Sequence, residues 1–259
     1  MILEGIEELF ESRHILKSMI YSTLFGRYKN SIIGFGWHFI IPLVTIIVYF
    51  IVFSQIRTNP IDDFWLYLAS GIFPLNYMIS SLSAGSGCIV NNAGMIKKMY
   101  FPREIIVLSF SISMFIILII GLLITIIISF LAGNSITISL IILPFDLLLI
   151  FFFSTGCALL FSSLNVYHRD IQHLLNSITL FIFVLTPIFY LINSVDGLLN
   201  IVVTINPFTH YVELFHQSIY YKTIPNLSTL TTCIALSFTT FIVGLICFKK
   251  LKNGFVERL

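Results

Sequence analysis

The sequence predicts an all-α membrane protein: six transmembrane helices, an N-terminal amphipathic helix at the interface, and short re-entrant extracytoplasmic helices before the last span. Three observations predict it. The 259 residues are 58% hydrophobic and 10% charged, with a mean hydropathy of +1.00, whereas soluble domains carry roughly a quarter charged residues. Apolar runs recur at about the ~20 residues that cross a hydrocarbon core. The charges collect in short islands between those runs.

Residues 1–30 form the interface helix and the approach to the first span. Leu3, Ile6, Phe10, Leu16 and Ile20 keep three- and four-residue steps, and Glu4, Glu7, Glu8 and Glu11 take the other side, the pattern of a helix lying in the interface. The same glutamates interrupt the place where a secretory signal would need its apolar run. Residues 31–259 form the transmembrane domain, with spans expected at about 32–53, 64–90, 105–131, 138–164, 171–192 and 229–248. Small residues from Ser80 to Gly87 mark close helix packing in the second span. Between the second and third spans lies the island 91–104, NNAGMIKKMYFPRE. Lys97, Lys98 and Arg103 hold it at a membrane face, yet Met95, Ile96, Met99, Tyr100 and Phe101 are too apolar for a solvated loop. A compact charged loop bearing apolar knobs suits docking against another protein. A second island, NVYHRDIQH (165–173), joins the fourth and fifth spans. Segment 193–228 is too polar to span and too apolar for a free loop. Pro207 and Pro225 break it. Irregular backbone survives at membrane depth only under protein or beside a wet cavity, so short re-entrant helices capping a cavity are expected there.

Six spans put both termini on one side. All but Arg57 and Lys222 of the 14 basic residues then fall on that side, and the positive-inside rule makes it the cytoplasm.

No chemistry-bearing constellation emerges. No phosphate loop GxxxxGK[ST], HExxH or serine elbow is present, and His168-Arg169-Asp170 stands without the rest of a kinase. Cys88, Cys157, Cys233 and Cys247 lie in apolar runs without ligand spacing and suit packing. No catalytic, metal-binding or nucleic-acid-binding set can be assembled. Asp146 is the one acid well inside a span. Such a placement costs on the order of 2.5–3.5 kcal/mol, so it should face a cavity or a partner group, in a functional or a structural role. Aromatic residues are 15% of the chain. Tyr49, Phe53, Phe181, Phe189 and Tyr190 either add to the lipid-facing bulk and interfacial belts or line a path for a substrate with apolar faces, such as a sugar chain.

Taken in order, four stretches look like one family. RYKNSIIGFGWHFIIPL (27–43), IKKMYFPREI (96–105), LNVYHRDIQHLLNSITLFIFVLTPIFY (164–190) and INPFTHYVELFH (205–216) resemble the polysaccharide-exporting ABC-2 transporter permeases. The resemblance implies a homodimer of six-span subunits paired with two copies of a separate ATPase, which would bind the ATP and magnesium. No cofactor is then expected in this chain. It implies that Asn91–Arg103, including Pro102, seats in the ATPase as a coupling helix, with Met99, Tyr100 and Phe101 as knobs. It implies an exit gate around Asn206 and Pro207. Arg27 and Lys29 could hold the anionic group of a lipid-linked glycan, or serve only as ordinary positive-inside charges. The expected setting is the bacterial inner membrane and the expected cargo is O-antigen, with capsule or teichoic acid as relatives of the same kind. A rival of another class, an ion-coupled secondary transporter, would be expected to hold several ionisable groups at mid-membrane, where Asp146 stands nearly alone.

Overall fold

A computed structural model describes residues 11–26, 31–56, 61–135 and 137–259. Among them the chain is all helix and turn. The expectations placed on residues 1–10, and those for Arg27 and Lys29, lie outside the described residues.

In chain order the helices are α1 (Arg13–Phe25), α2 (Trp37–Ile56), α3 (Phe64–Asn91), α4 (Ala93–Lys98), α5 (Glu104–Leu131) and α6 (Leu143–Tyr167). They continue with α7 (Asp170–Leu185), α8 (Gly197–Ile205), α9 (Pro207–Phe215), α10 (Leu227–Leu251) and α11 (Phe255–Arg258). Four stretches among the described residues are long and apolar enough to cross a membrane: Gly34–Gln55, Glu104–Leu131, Leu143–Tyr167 and Leu227–Arg258. This is a multi-pass membrane protein.

The two remaining expected spans differ from these four for separate reasons. α3, with 28 residues, reaches about 42 Å, but its serines and glycines lower its hydropathy. It is the buried centre of the bundle, with Leu68, Ile72 and Leu75 fully enclosed. Its serines satisfy themselves: Ser70 Oγ donates to the Tyr67 carbonyl at 3.0 Å, Ser81 Oγ to that of Tyr77 at 3.0 Å and Ser86 Oγ to that of Ser83 at 2.7 Å. α7 stops at Leu185, short of the expected 192. Pro187 is the physical reason, because a proline disfavours the helical conformation of the residue before it, and Thr186 is extended (φ −88°, ψ 132°). Sixteen residues reach only about 24 Å.

Other boundaries moved less. The expected fourth span opens as a 3-10 turn, Ile138–Ile141, before α6 begins with Pro144 in its first turn, where a proline's missing donor does no harm. Segment 193–228 holds two short helices, α8 and α9, and α9 runs into a π-helical turn, His216–Tyr220.

The packing has two centres. The larger joins α3, α5, α6 and α9 around Leu68, Ile72, Phe153, Tyr211 and Phe215. The smaller closes one end of the bundle: Met19 of α1, Ile96 and Phe101 of the 91–104 island, Ile105 of α5, Val166 of α6, and Phe248 and Phe255 from the C-terminal end. At the opposite end Lys222 Nζ donates to Asn134 Oδ1 at 2.7 Å, and Asn134 Nδ2 donates to Asp63 Oδ2 at 3.1 Å. Three inter-helix connections are thereby tied together.

Candidate functional site

The 91–104 island is a knuckle built from its two ends inward. α3 closes at Asn91, and Asn92 Nδ2 donates back to the Cys88 carbonyl at 2.8 Å. One and a half turns of α4 follow, and Met99 then turns extended (φ −131°, ψ 140°). Pro102 precedes α5 and keeps Phe101 out of the helical region. The result separates side chains by depth. Ile96 and Phe101 are each 7% exposed and belong to the end cluster, while Met99 is 56% and Tyr100 100% exposed. Of the three expected knobs, therefore, Met99 and Tyr100 project and Phe101 anchors. Asn91, Lys97 and Lys98 are exposed, and Pro102 and Arg103 are half-buried. Tyr100, Pro102 and Arg103 also line a groove of about 630 Å³ whose far walls are Glu11, Ser12, Lys252 and Asn253.

The second island docks on α3. Asn165 Nδ2 donates to the Ser86 carbonyl at 3.1 Å, and Asn165 Oδ1 accepts from the Gln172 amide at 3.2 Å. A Cβ at Gly87 would collide with the Gln172 side chain at 2.5 Å. Here the small-residue patch serves a loop as well as a helix.

At the other end the Asn206-Pro207 pair starts α9. Asn206 Oδ1 accepts from the Phe208 amide at 3.1 Å, an N-cap with proline at the first helical position. Asn206 Nδ2 donates to Thr186 Oγ1 at 3.2 Å, so the cap also fastens the broken end of α7. The carbonyls released by that break find a partner in Tyr67 of α3. Its hydroxyl is shared between the carbonyls of Pro187 (3.0 Å) and Tyr190 (2.8 Å), as irregular backbone inside an apolar bundle requires. The Tyr67 ring stacks on His216 at 4.0 Å, and His216 Nε2 lies 3.1 Å from the Tyr67 carbonyl. Gln217 completes the turn: its Nε2 donates to Glu213 Oε1 at 3.0 Å and its Oε1 accepts from the Asn226 amide at 2.7 Å. Burial pushes the Glu213 carboxyl above its ordinary range, and the bond from Gln217 opposes the shift.

Asp146 is not deep in a span. Because α6 starts at Leu143, the carboxyl sits in the first turn, where the helix N-terminus favours negative charge. It is fully buried, and Ser218 Oγ of the π-helical turn donates to its Oδ2 at 2.6 Å. Ser139 Oγ donates in turn to the Ser218 carbonyl at 2.9 Å. The acid faces a partner within its own chain.

Three of the expected aromatics come together. Phe189 contacts Tyr49 at 4.7 Å and stacks on Phe53 at 4.9 Å. Phe183, not Phe181, completes the group, 5.5 Å from Phe189 and 6.0 Å from Tyr49. Phe181 is 63% exposed on the outer face of α7. Tyr190 stays close by donating to the Leu185 carbonyl at 3.1 Å. Tyr67, Thr186, Ser218 and Gln217 escaped the sequence reading. A proline break does announce orphaned carbonyls, but nothing local says which distant hydroxyl satisfies them. Among the described residues no three His, Cys, Asp or Glu side chains could hold a metal ion together, and the cysteines are free.

The described helices form the bundle of a multi-pass membrane protein, with the 91–104 knuckle at one end and a hydrogen-bonded broken segment at the other. Residues 15–220 match the family described as ABC-2 type transporter. The chain belongs to that family. It is similar to an O-antigen export system permease protein RfbA of Myxococcus xanthus, 21% identical over 98% of this chain and 98% of that protein. Two proteins of the same description from Klebsiella pneumoniae are 29% and 26% identical, each over 90% of both chains.

Proposed function

We propose that this chain is the membrane-spanning permease subunit of an ATP-driven exporter of a lipid-linked polysaccharide, O-antigen by its similarity to permeases of that description. In this reading it works in the bacterial inner membrane as a homodimer of six-span subunits with both termini in the cytoplasm. Two copies of a separate ABC ATPase, which binds the ATP and magnesium, drive it. The knuckle carries the argument: Met99 and Tyr100 project beside the basic Lys97 and Lys98, while Ile96 and Phe101 root them in the core. A knob on a floppy loop would absorb a push, whereas one rooted among several helices passes it on. The segment around Asn206 and Pro207 acts as the outer gate, and the Tyr49–Phe53–Phe183–Phe189 group offers ring faces to passing sugars. Arg27 and Lys29 hold the anionic lipid linkage at the inner lip of the first span. The Asp146–Ser218 bond supports this reading over ion-coupled transport, because an acid fastened at a helix end is poorly placed as a mid-membrane ion carrier.

The experiment is co-expression with the partner ATPase in a strain lacking both genes, followed by detection of surface O-polysaccharide. Restored display that also needs ATP hydrolysis is the expected result. Glycan moved by the purified permease without any nucleotide-hydrolysing companion would overturn it, as would labelling of Cys-substituted Tyr100 from outside intact cells.

A further inference from the structure

The turn after α10 makes contacts that the transport reading leaves unused. Phe255 of α11 is fully buried and meets Phe248 edge-on at 5.4 Å. Tyr167, the last residue of α6, donates its hydroxyl to the Leu251 carbonyl at 3.0 Å, and the Arg258 guanidinium lies 5.4 Å over its ring. A Cβ on Gly254 would stand 2.4 Å from that hydroxyl, so the Tyr167 side chain would have to shift. On the other side Lys252 Nζ pairs with Glu104 Oε1 at 2.7 Å, and the Arg103 guanidinium donates to the Lys252 carbonyl. One short stretch of chain thus fastens the ends of α5, α6 and α10, and it grips the start of α5 at Arg103 and Glu104, the last two residues of the knuckle.

We propose that the 252–258 turn is a brace that positions Arg103 and Glu104, so that a load applied at Met99 and Tyr100 reaches α6 and α10 rather than being lost in rotation about Pro102. The proposal rests on the reading of 91–103 as the coupling loop. Lys252, Glu104 and Arg103 are positioning residues, which touch no cargo. Their ion pair is partly exposed, at 35% for the Lys252 side chain and 13% for that of Glu104. The lysine end of the pair lies near water and adds modestly to stability, so a loss of coupling at unchanged thermal stability must come from another cause.

The test uses the complex with the partner ATPase in lipid nanodiscs, bearing Lys252→Glu, Glu104→Lys or both. Complex assembly and thermal stability are recorded beside glycan moved per ATP hydrolysed. Each single reversal is expected to assemble normally and lose about fivefold or more in that ratio, the scale of a typical coupling between sites, and the double swap is expected to restore most of it. An unchanged ratio in the single reversals overturns the brace, as does a double swap no better than the singles. Should a reversal prevent assembly, Lys252→Met is read instead: a similar loss is expected, and an unchanged ratio overturns the brace. A wild-type complex that hydrolyses ATP but moves no glycan overturns the transport reading alone. The brace is then judged by whether Lys252→Glu abolishes the change in ATPase rate on assembly, an unchanged response overturning it.

Discussion

Gly244 lies so close to Gly156 that a Cβ built on it would fall 2.3 Å from the Gly156 carbonyl oxygen. The reciprocal Cβ on Gly156 would fall 2.6 Å from the Thr240 carbonyl oxygen. α6 and α10 therefore meet backbone to backbone, the contact that small residues permit between helices in lipid, where packing must replace the hydrophobic drive.

Gly156→Ala or Gly244→Ala should each lower stability by about 1–3 kcal/mol, the usual cost of overpacking a filled contact. Thermal unfolding in detergent checks this. Gly94→Ala is the control: its Cβ would meet nothing within 4 Å, and an alanine in a short helix gains about 0.5–1 kcal/mol over glycine.

Tyr67→Phe keeps the ring on His216 and removes the hydroxyl from the Pro187 and Tyr190 carbonyls. Stranding buried acceptors costs about 1–3 kcal/mol. The loss should appear as a lower unfolding temperature and as faster labelling of a cysteine placed at Leu191, on the freed segment. Unchanged labelling would show that the segment is held by other means.

Asp146→Asn retains an oxygen to accept from Ser218, and export should stay near the wild-type level. Asp146→Ala leaves Ser218 Oγ without its acceptor and should destabilise by about 1–3 kcal/mol. The pair also separates two mechanisms. If proton or sodium movement through Asp146 drove transport, Asp146→Asn would abolish it outright.

Adjacent positions on the knuckle should fail in different ways. Phe101→Ala empties a buried site and should cost about 3–5 kcal/mol, the range for truncating a core phenylalanine. Tyr100→Ala touches a fully exposed ring and should leave unfolding unchanged while weakening co-purification with the ATPase. A Tyr100→Ala protein that binds and couples normally would remove that ring from the docking surface.

The sequence carried the helices well wherever hydrophobic runs and punctuation agreed. α2, α5, α6 and α10 stand within a few residues of their expected places, and the 91–104 break is where its charges and Pro102 put it. α7 was overextended because its apolar composition continues through Tyr190, and only Pro187 betrays the end. Asp146 looks deep in the sequence because the apolar run before it reads as helix, whereas it is a 3-10 turn at 138–141. Which face of a helix meets a partner was harder still: Phe181 and Phe183 are two residues apart on equally greasy ground, and only packing against Tyr49 chooses between them. Long-range polar ties such as Tyr67 to Pro187 and Asn206 to Thr186 depend on tertiary placement, which no periodicity encodes. At the C-terminal end the stretch KKLKNGFVERL shows its charge openly and hides the role of Phe255.

α2 is the least enclosed of the four spanning stretches. Its spanning stretch has a mean hydropathy of 2.2, yet only 6% of that window is buried, and Ile41, Val44, Ile47 and Ile51 all face outward. Most of what covers this helix in the membrane must come from outside the chain, and extraction into detergent removes it. Solubilised preparations should therefore keep a cooperative melt yet lose turnover as extraction grows harsher, and adding back phospholipid should recover it.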